Sequence, residues 1–116
     1  MEPEFKPIVH LCLPAQWEAA QALGEYHTSS LKEVGFIHCS RPEQILGVAN
    51  RYFQRTDNLA LLWINPQRVE SEIRWELSDG QVFPHIYGPI NLAAVVAVSE
   101  LSPDEDGVFR MVSAPK

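Results

Sequence analysis

Residues Leu59 to Ile64 form a nearly continuous apolar run closed by Asn65-Pro66. Such a run suits a central strand buried on both faces, so the chain must place structure on either side of it. With 116 residues, 46% of them hydrophobic, it can bury that core without disulfides or metal as staples. One domain spanning residues 1–116 is expected, with an ordered core over about 8–101 and a loose tail over 102–116. The tail reading comes from Ser102-Pro103-Asp104-Glu105-Asp106-Gly107, which is acidic and turn-forming.

Other elements are placed around the apolar run. Ile8 to Leu13 reads as a strand containing His10, and Pro14 suits the first turn of a helix whose apolar face is Trp17, Ala20 and Leu23. Gly24 is placed to stop that helix. Ser30 and Glu33 have capping-box spacing, and nearby Gly35 leaves room only for a brief turn. Phe36-Ile37-His38-Cys39 is the next strand. Ser40 and Glu43 repeat the spacing ahead of the clearest helix, with Ile45, Val48, Ala49, Tyr52 and Phe53 as its buried stripe.

Ile73 to Leu77 and Gln81 to Phe83 flank Ser78-Asp79-Gly80, a strong hairpin signal. Ala93 to Leu101 is the last strand. Helices fall in the first half and strands crowd the second, which argues for an α+β fold with an antiparallel or mixed sheet.

Charge and composition remove several function classes. A net charge of −6, from 15 acidic and 9 basic residues, repels a phosphate backbone and argues against nucleic acid. Glu2 and Glu4 interrupt any hydrophobic leader, and Leu92 to Val98 is too short to span a bilayer, so a cytoplasmic protein without a membrane partner is expected. Cys12 and Cys39 can form one bridge at most and read as reduced and packed.

Three histidines stand in three strand motifs. His10 interrupts an apolar strand, where its imidazole must find partners or lie at an open edge. His38 sits two residues before Ser40, whose first duty is a helix cap and whose helix start presents free N–H groups to an anion. In Phe83-Pro84-His85-Ile86-Tyr87-Gly88-Pro89, alternation puts His85 and Tyr87 on one side, and Gly88 allows close backbone approach. The pair suits a pocket for a planar ligand; an edge strand ending in a turn is the plainer alternative.

A metal site is not expected, because Cys39 faces away from His38 and no closely spaced cysteine pair exists. Ser40, His85 and Glu76 make a triad on paper, without a nucleophile-elbow sequence. Arg74 and Glu76 share a face and are expected to pair at the surface. Asn50 and Arg51 read as solvated, although either can reach a neighbouring cleft.

Ile8-Val9-His10-Leu11, Gly35-Phe36-Ile37-His38-Cys39-Ser40 with Gly47-Val48-Ala49-Asn50-Arg51-Tyr52, and Pro84-His85-Ile86-Tyr87-Gly88-Pro89 together resemble the bacterial domain-of-unknown-function family 952. Gly24-Glu25-Tyr26 and Arg74-Trp75-Glu76 extend the resemblance over nearly the whole chain. It implies a split β core similar to that of ADP-ribosyltransferases, with short helices in the N-terminal half and a cleft for NAD or a related ADP-ribosyl nucleotide.

On that resemblance, His10 would bind the ribose hydroxyls, His38 would pack on the ligand, and His85 would take the third motif position. His10, Ser40, Arg51, Tyr87 and Gly88 would hold the nucleotide; His10, His38 and His85 would act on it. Many such transferases place a glutamate third, and histidine cannot supply its negative charge. The histidine-rich pattern is similar to the RNA 2′-phosphotransferases of the same superfamily, whose polyanionic substrate the acidic charge disfavours. A non-catalytic small-molecule or partner-binding module is the alternative expectation, and purely structural histidines are a third.

Overall fold

A computed structural model describes residues 6–53 and 57–110. The apolar run becomes the strand Leu59–Ile64, and every one of its residues is buried. Its neighbours are strand Ile8–Cys12 on one side and strand Val95–Leu101 on the other, both antiparallel. In chain order the strands are β1 (Ile8–Cys12), β2 (Glu25–Tyr26), β3 (Ile37–His38), β4 (Leu59–Ile64), β5 (Glu72–Ser78), β6 (Gln81–Tyr87), β7 (Ile90–Asn91) and β8 (Val95–Leu101). The helices are α1 (Pro14–Leu23), α2 (Ser30–Glu33) and α3 (Ile45–Tyr52). All described pairings are antiparallel, in three sheets ordered β1-β4-β8, β2-β7 and β3-β6-β5.

Alternation along β4 divides the core in two. Ala60, Leu62 and Ile64 face a cluster that includes Ile8, Tyr26, Ile37 and Ile86. Leu59, Leu61 and Trp63 face the opposite way, onto Ile45 and Ala49 of α3 and onto Phe109. Each fully buried Leu or Ile contributes roughly 1.5–3 kcal/mol of transfer free energy, so both layers share the stabilisation.

The hairpin forms around Asp79-Gly80, with φ of 51° and 79°, the left-handed pair that matches the twist of its strands. Its second strand is longer than the hairpin signal indicates. β6 runs unbroken from Gln81 to Tyr87 and lies centrally, between β3 and β5. This rules out the edge-strand alternative for the His85 motif. Pro84 is accommodated there because the N–H it lacks would face Cys39, just past the end of β3, while its carbonyl still accepts from the Cys39 amide.

Several local expectations are corrected. Neither capping box forms. Ser30 is already helical, and its hydroxyl donates to the Phe36 carbonyl at 2.7 Å. Ser40 instead exchanges two backbone hydrogen bonds with Val9, each 2.8 Å, which join β1 to the end of β3. The cap ahead of α3 comes from Gln44, whose Oε1 accepts from the Arg41 amide at 2.8 Å.

Tyr52 is 61% exposed and Leu23 66% exposed, so neither lies on a buried stripe. Residues 102–110 are not a loose tail. Phe109 is buried, and Asn50, read as solvated, clamps its backbone through Nδ2 to the carbonyl at 2.8 Å and Oδ1 from the amide at 2.7 Å. The rest of the expected tail, 111–116, lies outside the described residues. Among the described residues no helix is long and apolar enough to cross a membrane.

Candidate functional site

A cleft of about 610 Å³ opens between the histidine-bearing strands, α3 and the hairpin. His10, His38, Ser40 and His85 all line it. The three histidines therefore converge, each by a different route.

His10 is held by two hydrogen bonds. Its Nδ1 lies 2.6 Å from the His38 carbonyl, which can only accept, so Nδ1 carries the proton. Nε2 then accepts from the Tyr26 hydroxyl at 2.7 Å. Burial lowers the imidazole to about 4, so the ring is neutral. Both nitrogens are committed within the protein, and the expected contact from His10 to ribose hydroxyls is not free to form. His10 works instead by fixing the backbone that carries His38.

The opposite pole is anchored by Glu76. His38 and His85 are cross-strand partners, with ring centroids 5.5 Å apart and nearly perpendicular. His85 Nδ1 donates to Glu76 Oε1 at 2.7 Å, and the Tyr87 hydroxyl donates to the same oxygen at 2.6 Å. These two donors hold the Glu76 carboxyl below its ordinary range, Tyr87 contributing more, and Tyr87 is raised in turn. Phe36 stacks on His85 at 4.0 Å, 20° from parallel. Burial lowers His38, and the adjacent His85 adds to the effect.

The expected Arg74–Glu76 pair does not form. Arg74 donates to Glu72 at 3.0 Å and covers the Tyr87 ring at 4.3 Å, leaving Glu76 for His85. The paper triad is thus half assembled, as a His85–Glu76 pair.

The remaining expected ligand contacts divide. Arg51 lines the cleft, bridges to Asp79 at 3.3 Å and lies over the Tyr52 ring at 5.2 Å. Tyr87 stands behind His85, outside the cleft wall. Gly88 has φ 155°, and a Cβ there would collide with Ser71, so its close approach serves the fold. Cys39 lines the cleft, but burial pushes its thiol up, as it does that of Cys12. Among the described residues no group of three or more His, Cys, Asp or Glu is arranged to hold a metal.

Sequence reasoning missed Tyr26, Gln44 and Gln81 as cleft residues. Tyr26 stands inside one of the resemblance motifs, a signal that gave it no role. Gln44 and Gln81 carry no sequence signal, because their amides meet only when α3 packs beside the hairpin.

Comparison with known proteins places this architecture. The model of a family described as a protein of unknown function (DUF952) matches residues 11–98. The crystal structure of protein CC0527 from Caulobacter crescentus superposes with a TM-score of 0.82 at 33% identity, covering 90% of this chain and 93% of that one. Its solution NMR structure gives a TM-score of 0.76 at 34% identity, covering 88% and 90%. No curated protein matches the chain.

Proposed function

The chain belongs to the DUF952 family, and from that premise we propose that its cleft binds NAD or a related ADP-ribosyl nucleotide and transfers or hydrolyses the ADP-ribosyl group. In this reading the antiparallel sheets are the split β core of an ADP-ribosyltransferase-like fold. The observation that carries it is the convergence of His10, His38 and His85 on one cleft. Its volume, about 610 Å³, lies within the roughly 300–1,000 Å³ of small-molecule sites.

The chain's own residues divide the work. His38 and His85 contact the sugar at the bond that breaks. The C1′–nicotinamide bond breaks with its electron pair leaving on nicotinamide, the oxygen of the attacking hydroxyl or water bonds to C1′, and His85, whose Nδ1–H donates to Glu76, takes that oxygen's proton at Nε2. Glu76 fixes that tautomer and stabilises the imidazolium that forms when His85 takes the proton. His10 positions His38 and touches no substrate.

Isothermal titration with NAD and with ADP-ribose tests the reading. Binding below millimolar is expected, with His85→Ala lowering turnover of NAD by at least about a hundredfold, the usual contribution of a general base. Absence of binding by the wild-type chain at millimolar ligand would sink the proposal.

One observation favours a second reading, a non-catalytic binding module: Glu76 sits behind His85 rather than in the cleft wall, and the carboxylate that lines the cleft among the described residues, Asp79, is at the hairpin tip, paired with Arg51. Binding without turnover, unchanged by His85→Ala, is its signature.

A further inference from the structure

The chain has six glycines, and five of them have positive φ. Gly47 is the exception. It lies inside α3, where glycine is the least favourable residue after proline, and nothing stands within 4 Å of the position its Cβ would take. Neither backbone conformation nor packing calls for a glycine there. Gly47 does line the cleft, on the same wall as Val48, Arg51 and Tyr52.

Two further features meet this bare stretch of helix. Tyr52, at the end of α3 and exposed, also lines the cleft; its ring lies beneath the Arg51 guanidinium and its hydroxyl 3.3 Å from Asp79 at the hairpin tip, so an aromatic face is braced there. Across from α3, Gln81 also lines the cleft, and its Oε1 accepts from Gln44 Nε2 at 3.2 Å. Gln44 is itself fully engaged, donating also to the Val82 carbonyl at 3.1 Å and accepting from Arg41. That contact orients the Gln81 amide and leaves its N–H₂ as donor and a lone pair on Oε1 as acceptor. Paired donor and acceptor on one carboxamide match the edge of an adenine, where an amino group adjoins a ring nitrogen.

We propose that Gly47, Tyr52 and Gln81 form a purine subsite: the base lies flat against the exposed backbone of α3 at Gly47, beside the Tyr52 ring, with its edge read by Gln81. The inference deepens the nucleotide reading and rests on it. It gives the ligand a direction, with the purine at the α3–hairpin end and the scissile sugar at His38 and His85.

The test is a substitution that strengthens the fold while filling the subsite. Gly47→Ala removes the helix penalty and is expected to raise Tm by about 2–6 °C. Gly47→Leu, also a good helix former, projects a side chain into the space. AMP, ADP-ribose and nicotinamide mononucleotide are titrated into each chain calorimetrically, with the Gly47 amide followed by NMR. AMP and ADP-ribose are expected to shift that amide and to lose at least about tenfold in affinity in Gly47→Leu, the consequence of overfilling a packed contact. Nicotinamide mononucleotide should lose less than threefold.

Each other outcome decides something. ADP-ribose binding that Gly47→Leu changes by less than threefold overturns the subsite and leaves the nucleotide reading standing. An equal loss for nicotinamide mononucleotide overturns the purine assignment. AMP binding at Gly47 without binding of NAD or ADP-ribose keeps the subsite and removes the ADP-ribosyl reading. No binding of AMP or ADP-ribose at millimolar concentration overturns both.

Discussion

His10 shows how a residue can be prominent in sequence and indirect in action. A histidine inside an apolar strand draws attention because its burial demands partners, and it has two. Its folded value of about 4 lies below the 6.5 of a free imidazole. Between those values the unfolded chain takes up a proton that the folded chain refuses. The stabilisation is therefore fully present above about pH 6.5 and is lost as the pH falls towards 4, by an amount on the order of 3 kcal/mol.

His38, lowered in the same direction, adds to the loss, whereas Glu76 and Asp104, held below their ordinary values, lose their contributions only at lower pH. Urea unfolding of the wild type should show a midpoint that drops between pH 7 and pH 5, and His10→Gln should flatten that drop. An equally steep fall in the variant would refute the assignment. The ring's visibility was legible in sequence; its commitment to Tyr26 and to a distant carbonyl was not, because both partners are brought in by tertiary packing.

At the level of elements, the sequence was most informative where one physical requirement dominated. A six-residue apolar run closed by Asn65-Pro66 suits a doubly covered strand, and Asp79-Gly80 has few backbone options besides a tight hairpin turn. It was least informative where two local solutions competed. Ser40 has the right spacing to cap α3, but its backbone is drawn into pairing with Val9, and Pro42 starts a 3-10 turn that Gln44 caps instead. Tyr52 has helical spacing for a buried stripe, yet it is the last residue of α3 and turns towards the hairpin.

Gly88 belongs to this scale too, because it lets the chain pass close against Ser71 where β6 ends. Gly88→Ala is expected to destabilise the chain by about 1–3 kcal/mol through its positive φ, with the Ser71 clash added. Equilibrium denaturation measures this, and a change within about 0.5 kcal/mol would contradict it.

For the whole molecule, the two core layers on either side of β4 make the C-terminal segment structural. Phe109 closes the layer beneath α3, and Asn50 secures it from the helix. Phe109→Ala should therefore lower stability by about 3–5 kcal/mol, as for other buried aromatic side chains, measurable as a fall in Tm. A chain ending at Leu101 should be destabilised at least as much. An unchanged Tm in either case would restore the tail reading. Composition could not show this, because the stretch that precedes Phe109 is acidic and turn-forming, while the single aromatic residue beyond it anchors the segment.

The Val9–Ser40 contact has a consequence for the cleft's motion. Two backbone hydrogen bonds, each 2.8 Å, stitch the sheet that carries His10 to the end of the strand that carries His38. A separation of those sheets must break both bonds together, so the two amide protons serve as a clock for opening. If they exchange with deuterium as slowly as the centre of β4, the histidine site opens only when the protein unfolds; if they exchange sooner, the seam is a hinge and the cleft breathes within the native state.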